Sequence, residues 1–135
     1  MIKTLFTLAI MTVSLSNLPL TSQTLTPNQN KWNLCQKKTG LMTQISNSFA
    51  KAGANPTQTK TAQKVACFES NMDCKITSKR NSNGSFDIGL FQINSVHKQQ
   101  NMNDCQANID YAIKLSKNGK NWKPWSAYKK TLTVK

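Results

Sequence analysis

Two carboxylic acids, Glu69 and Asp87, are the residues of this chain whose types and surroundings could do chemistry. Glu69 is the only glutamate among five acidic residues, and it follows an apolar run that contains Val65, Ala66 and Phe68. Desolvation by such neighbours disfavours the ionised form of a carboxylate and raises its pKa. A carboxylic acid that is still protonated near neutral pH can give its proton to a leaving group. We therefore interpret Glu69 as a general acid.

Asp87 lies eighteen residues after Glu69, in a polar segment. Cleavage of a glycosidic bond commonly uses two carboxyl groups that flank the bond. One donates a proton to the leaving oxygen, and the other stabilises or attacks the positive sugar centre. Glu69 in an apolar setting and Asp87 in a polar one fit this division of roles, with Asp87 as the anionic partner. Asp87 could instead serve only to brace the segment around it.

The segment before Glu69 predicts two helices. Apolar residues at helical spacing predict the first over residues 37–52. The second has Thr57 as its N-cap and ends at Glu69, so that the acid projects from a helix end. Negative charge is disfavoured near a helix C-terminus, which adds to the upward pressure on the pKa of Glu69.

The segment around Asp87 predicts a small antiparallel hairpin. Asn-Gly, at residues 83–84, is a strong signal for a tight turn, and it would place Asp87 on the second strand. Beyond the hairpin, Asp104 is a plausible cap for a third helix that ends near Gly119. Pro124 suits the first turn of a last helix. The predicted fold class is α+β, mostly α, with one small sheet.

Two motifs resemble a known family. They are Phe-Glu-Ser-Asn at residues 68–71 and Asn-Gly-Ser-Phe-Asp-Ile-Gly-Leu-Phe-Gln-Ile-Asn-Ser at residues 83–95. The chain resembles the lysozyme superfamily, and most closely the small bacterial lytic transglycosylases that accompany secretion and pilus systems. The resemblance covers roughly residues 34–128 and implies a lysozyme-like fold with one small antiparallel β-hairpin.

The resemblance also implies roles for individual residues. Glu69 would be the general acid and base, and Asp87 would match the second carboxylate of animal-type lysozymes. Substrate-binding roles would fall to four residues, namely Ser70, Gln92, Asn94 and Tyr128. The family motif around the tyrosine usually continues Asn-Ala-Gly, whereas this chain continues Lys-Lys-Thr.

Several residues of the chain also have a purely structural interpretation. Gln92 and Asn94 could be internal hydrogen-bonding groups of a turn. Trp122 and Trp125 could stack on sugars, but two tryptophans around a proline favour the core. His97 is read as a surface or packing residue.

Four cysteines in an exported chain indicate two disulfides, and the sequence alone allows three pairings. In the family that the chain resembles, an early cysteine and one in an Asp-x-Cys-x-x-Asn-Ile-like stretch recur. The resemblance therefore implies Cys35–Cys105, which leaves Cys67–Cys74. The chain has no Cys-x-x-Cys pair and a single histidine, so neither a metal site nor a cofactor is expected.

The first residues predict export. A positive start, an apolar stretch over residues 5–13 and small polar residues after it are typical of a signal peptide, which we place at residues 1–22. Its cleavage site could be at residues 14–16 or near Ser22. We expect a flexible leader over residues 23–33, a single catalytic domain over residues 34–135, and a secreted or periplasmic protein.

The formal net charge of +13 indicates a surface that attracts polyanions. Arg80 is the only arginine, which disfavours nucleic acid, and an exported protein more plausibly meets an anionic wall. A merely solvated lysine surface would have the same composition. The expected partners are peptidoglycan glycan strands and a secretion or pilus apparatus; no nucleic acid, no stable membrane span and a monomeric state are predicted.

The sequence thus predicts a glycosidase that cleaves the β-1,4 bond between N-acetylmuramic acid and N-acetylglucosamine. The resemblance favours a lytic transglycosylase, which forms 1,6-anhydromuramyl products. A lysozyme-type muramidase that uses Glu69 and Asp87 is the alternative. A non-catalytic cationic module that binds the cell wall is another.

Overall fold

The computed structural model describes residues 24–135, so the expected signal peptide lies outside the described residues. Along these residues, three α-helices precede a short two-stranded sheet and two α-helices follow it. In chain order the elements are α1 (Pro27–Gln36), α2 (Thr39–Lys51), α3 (Pro56–Ser70), β1 (Asp87–Ile88), β2 (Ile93–Asn94), a 3-10 turn (Ser95–His97), α4 (Cys105–Leu115) and α5 (Tyr128–Thr131). The predicted α+β, mostly helical fold with one small antiparallel sheet is confirmed. No helix within the described range has the length and apolarity needed to span a membrane.

The central helix is α3, which carries Glu69 and packs against α1, α2 and α5. It begins with a capping box in which the side chains of Asn55 and Gln58 each bond the other's backbone N–H. Asn55 is therefore the N-cap, and not Thr57 as predicted. The helix ends at Ser70 and is capped by Asn71, whose φ of 56° is left-handed. This end is where the candidate site lies.

The leader prediction is wrong for residues 27–33, because they belong to α1. Thr26 caps this helix by accepting a hydrogen bond from the N–H of Gln29 at 3.2 Å, and Pro27 occupies its first turn. Trp32 is only 1% exposed, and its indole N–H donates to the backbone oxygen of Lys135 at 3.0 Å. The polar composition of the segment reflects its solvent face and conceals the face that packs on the domain.

The expected disulfide pairing is also wrong. The structure pairs Cys35 with Cys67 and Cys74 with Cys105. Cys67 is buried within α3 on the side that contacts α1. Cys74 follows two residues with left-handed φ angles that turn the chain away from that side, and it meets the start of α4. The bonds therefore attach α1 to α3, and the segment before the sheet to α4.

The sheet forms one turn later than predicted. Asp87 pairs with Asn94 and Ile88 with Ile93, so the turn of the ladder is residues 89–92 and Asp87 is on its first strand. The expected hairpin around residues 81–84 is reduced to a single antiparallel bridge between Thr77 and Ile88. The segment from 77 to 94 is thus a short meander in which Asp87 occupies the middle.

Asn108 of α4 holds this meander against the helices. Its amide nitrogen donates to the backbone oxygens of Ile88 and Met102, both at 2.8 Å, and its oxygen accepts from the N–H of Phe91 at 2.7 Å. Gly89 makes the close approach possible, because a Cβ there would lie 2.1 Å from the oxygen of Met102. As predicted, Asp104 caps α4 through the N–H of Ala107 at 2.9 Å.

The aromatic residues near the C-terminus belong to the core. Trp122 and Trp125 are each 5% exposed, and the indole N–H of Trp125 donates to the oxygen of Phe91 at 2.7 Å. The core reading of both tryptophans is confirmed. The predicted last helix is shortened to α5, because turns at residues 123–124 and 126–127 precede it. His97 packs near the ring of Tyr111, with 5.5 Å between the ring centroids.

Candidate active site

Glu69 lies one residue before the end of α3 and is half-buried. Its carboxylate oxygen Oε1 accepts a hydrogen bond from the backbone N–H of Ala127 at 3.2 Å. Ala127 directly precedes α5, which packs against α3. The acid is therefore oriented by the segment that leads into the last helix.

The surroundings of Glu69 raise its pKa, and burial is the largest cause. The hydrogen bond from Ala127 acts in the opposite direction because it favours the carboxylate. The negative charge of Asp87 raises the pKa of Glu69 further, and the positive charges of Lys130 and Lys31 lower it. The net effect is a raised pKa, so the protonated form, which can donate a proton, persists to higher pH than in an exposed glutamate.

Asp87 is held by amide groups on both sides. Its Oδ1 accepts from Asn94 Nδ2 at 2.7 Å, and its Oδ2 accepts from Asn81 Nδ2 at 3.2 Å. Its backbone N–H donates to Ser78 Oγ at 2.9 Å. The two carboxyl groups lie near enough for the charge of Asp87 to act on Glu69. The charge of Asp87 therefore acts on the other acid that the sequence analysis singled out.

Gln92 and Asn94 use their side chains inside the meander. The amide nitrogen of Asn94 donates to Asp87 and to Ser85 Oγ, and its oxygen accepts from the N–H of Val96 at 3.0 Å. Gln92 has a left-handed φ of 48°, and its amide nitrogen donates to the oxygen of Gly89 at 2.9 Å. Asn94 therefore fixes the side chain of Asp87, and Gln92 braces the turn.

Ser70 and Tyr128 differ in their access to a ligand. Ser70 is only 1% exposed, and its hydroxyl donates to the oxygen of Ala66 at 3.0 Å while accepting from the N–H of Asp73. This burial leaves no surface of Ser70 for a sugar, so its expected substrate contact is replaced by a structural role. Tyr128 is half-buried and immediately follows Ala127, the partner of Glu69.

The sequence did not predict three groups that act on Glu69: the N–H of Ala127 and the side chains of Lys31 and Lys130. Lys31 comes from α1, where Thr-Pro at residues 26–27 was an available start signal. Lys130 and Ala127 come from the C-terminal segment, and only the packing of α5 on α3 brings them to the acid.

Comparison with known proteins agrees with this geometry. The family model of the lysozyme-like domain matches residues 46–127, which is more than half of the chain and includes both Glu69 and Asp87. No curated protein and no solved structure matches the chain significantly. Lysozyme-like domains in general indicate glycosidases that act on peptidoglycan, in keeping with a pair of carboxyl groups of this kind. The chain belongs to the family of lysozyme-like domains.

Proposed function

We propose that this protein is an exported lytic transglycosylase that cleaves the β-1,4 bond between N-acetylmuramic acid and N-acetylglucosamine, with Glu69 as general acid and base. The observation that carries the proposal is the state of Glu69: it is half-buried, and burial raises its pKa. An acid of this kind holds its proton at a pH where an exposed glutamate has lost it.

The proposed reaction needs one carboxyl group for two proton transfers. Glu69 gives its proton to the glycosidic oxygen as the bond from that oxygen to the muramyl C1 breaks. The muramyl 6-hydroxyl then attacks C1, and its proton returns to the Glu69 carboxylate. The product carries a 1,6-anhydro ring, and the acid is regenerated. The hydrogen bond from Ala127 N–H stabilises the carboxylate between the two steps.

Asp87 has a supporting role in this scheme. Its carboxylate accepts hydrogen bonds from Asn94 and Asn81, which fix the position of its negative charge. A fixed negative charge stabilises the oxocarbenium character that develops at C1. The scheme requires no covalent bond between Asp87 and the sugar.

A muramidase is the second candidate, and the firm placement of Asp87 is the observation that favours it. In that case water attacks in place of the 6-hydroxyl and the product has a reducing end. Mass spectrometry of digested sacculi separates the two reactions, because the anhydro product is one water lighter. We expect the anhydro product.

The matched variants are Glu69→Gln and Asp87→Asn, each of which keeps the shape of the side chain. Glu69→Gln should fold normally and lose at least a hundredfold in wall lysis, since general acid catalysis contributes about 10²–10⁴-fold. Lysis by this variant at the wild-type rate would rule out Glu69 as the acid, whereas absence of lysis by the wild-type protein would favour a wall-binding module. Asp87→Asn should lose less than Glu69→Gln in a transglycosylase.

We also propose export through the predicted signal peptide to a secreted or periplasmic location. Two disulfides among the described residues support an oxidising compartment. Association with a secretion or pilus apparatus and a monomeric state stay predictions from the resemblance.

A further inference from the structure

A cavity of about 310 Å³ lies beside the end of α3 that carries Glu69. It is lined by Lys31, Leu34, Cys35, Lys38 and Asn71. Asn71 is two residues beyond Glu69, and the charge of Lys31 acts directly on the Glu69 carboxyl. The cavity, which we call the α1 pocket, therefore lies near the end of the helix that carries the proposed acid. Its volume is within the range of sites for small ligands, which begins at roughly 300 Å³.

The wall of the α1 pocket is fixed in place by covalent and helical structure. Cys35 lines the pocket and is bonded to Cys67, two residues before Glu69. The Lys31 backbone oxygen also lies 3.7 Å from Cys67 Sγ. One helical turn separates Lys31 from Cys35, so the disulfide holds this lysine near the acid.

Both lysines of the pocket bond only neutral oxygens among the contacts that the structure gives. Lys31 Nζ donates to the backbone oxygen of Phe68 at 3.3 Å, and Lys38 Nζ donates to the backbone oxygens of Asn71 at 2.8 Å and Met72 at 3.4 Å. An ammonium group has three donors, so each lysine has donors left for a ligand. Lys130 is a further positive charge near Lys31. Burial is the largest cause that lowers the pKa of Lys31, and the charge of Lys130 is the next.

The positive charge is least balanced when the enzyme is ready to react. Glu69 must be neutral to act as an acid, and in that form it no longer offsets Lys31 and Lys130. An anionic group placed beside the neutral acid would restore the balance. Leu34, whose side chain is 62% exposed, adds an apolar wall. Pocket chemistry therefore favours a ligand that combines carboxylates with small aliphatic groups.

We propose that the α1 pocket binds the peptide stem of the peptidoglycan strand through a stem carboxylate, with Lys31 and Lys38 as the anion-binding residues. The inference rests on the proposed function, because the stem is attached to the muramyl sugar whose bond Glu69 would cut. A stem carries both carboxylates and small aliphatic side chains, and its attachment point is adjacent to the scissile bond. The pocket would thus make the enzyme prefer strands that still carry stems.

Binding measurements on a non-cutting protein test this directly. The full chain with Glu69→Gln is titrated with a soluble glycan oligomer that carries stems, and with the same oligomer after an amidase has removed them. We expect binding to the stemmed oligomer to be about tenfold tighter, as two exposed charge contacts would give. Adding Lys31→Gln and Lys38→Gln should reduce the affinity for the stemmed oligomer to that for the bare one.

A matched loss of charge is the control. Lys114 and Lys120 are exposed and lie away from the α1 pocket, so Lys114→Gln with Lys120→Gln should weaken binding to both oligomers alike. Equal affinity of the Glu69→Gln protein for the two oligomers would overturn the inference. That result would leave the proposed function intact if the wild-type protein still cut both.

The lysines also stabilise the carbonyl end of α3, and a purely structural role predicts a different result. In that case the double variant would have a lower unfolding free energy and would lose the same factor of affinity for both oligomers. Loss that is confined to the stemmed oligomer supports the pocket. Loss that is shared by both oligomers contradicts it.

Discussion

In the proposed reaction Glu69 holds a proton before the bond breaks and accepts one afterwards, and its neighbours push its pKa in both directions. Burial and the charge of Asp87 favour the acid, while the N–H of Ala127 and two lysines favour the carboxylate. A residue with both tasks needs a pKa near the working pH, because an extreme value would make one of the two transfers slow. We propose that these opposing influences on the pKa of Glu69 serve the two proton transfers.

These opposing charges predict pH profiles that move in opposite directions. Asp87→Asn removes a charge that raises the pKa of Glu69, so the alkaline limb of kcat/KM should move to lower pH. Lys130→Gln removes a charge that lowers this pKa, so the limb should move to higher pH. Initial rates on a soluble peptidoglycan fragment across the pH range give both limbs. A common shift of both variants in one direction would contradict the assignment of the limb to Glu69.

Asn94 is predicted to act through Asp87 rather than on the substrate. Asn94→Ala removes the 2.7 Å hydrogen bond to Asp87 Oδ1 and should lower kcat about tenfold, which corresponds to about 1.4 kcal/mol. KM should change little, because the side chain is used inside the meander. Asn47→Ala, at an exposed position of α2, is the control. A large rise in KM with unchanged kcat would instead assign Asn94 to sugar binding.

At the scale of elements, some local signals were readable, whereas contacts between distant segments were not. Asp104 was recognisable as a cap because its partner, the N–H of Ala107, is three residues away. The hairpin was placed one turn too early because the Asn-Gly turn signal is local, whereas the observed pairing depends on Asn108, about twenty residues later. Glu69 was readable from its apolar neighbours, but Lys31 and Lys130 reach it only through the packing of α1 and α5.

Asn108 is predicted to be the residue that ties the meander to α4. Asn108→Ala leaves the buried backbone groups of Phe91, Ile88 and Met102 without this partner, so the unfolding free energy should fall by about 3 kcal/mol. Asn103→Ala removes the same amide from an exposed position and should change the unfolding free energy by less than about 0.5 kcal/mol. Urea unfolding of the two variants gives the comparison. Similar stability of both would mean that the meander does not depend on Asn108.

For the whole molecule, one disulfide stabilises the Glu69 side of the site and the other stabilises the Asp87 side. The bonds span 32 and 31 residues, so each contributes about 4 kcal/mol in the chain-entropy model. The pairing expected from the resemblance would have closed one long and one short loop, leaving α1 without its own bond to α3. The observed pairing fixes α1 beside Glu69 and fixes the Asp87 meander to α4, which a reading of spacing alone did not predict.

The raised pKa of Glu69 also predicts how the stability of the whole protein depends on pH. An acid whose pKa is higher in the folded state than its ordinary value of 4.5 binds more protons when folded, so the unfolding free energy falls as the pH rises between those two values. Glu69→Gln keeps an oxygen for the Ala127 N–H and removes this ionisation. The variant should therefore match the wild type below the ordinary pKa and become relatively more stable above it.

Chemical unfolding of the wild type and of Glu69→Gln at a series of pH values measures this difference. Asp110→Asn, at an exposed position of α4, is the matched acid-to-amide control. A difference between wild type and Glu69→Gln that stays constant with pH would show that Glu69 ionises equally in both states. The buried proton would then be absent, and proton donation by Glu69 near neutral pH would lose its physical basis.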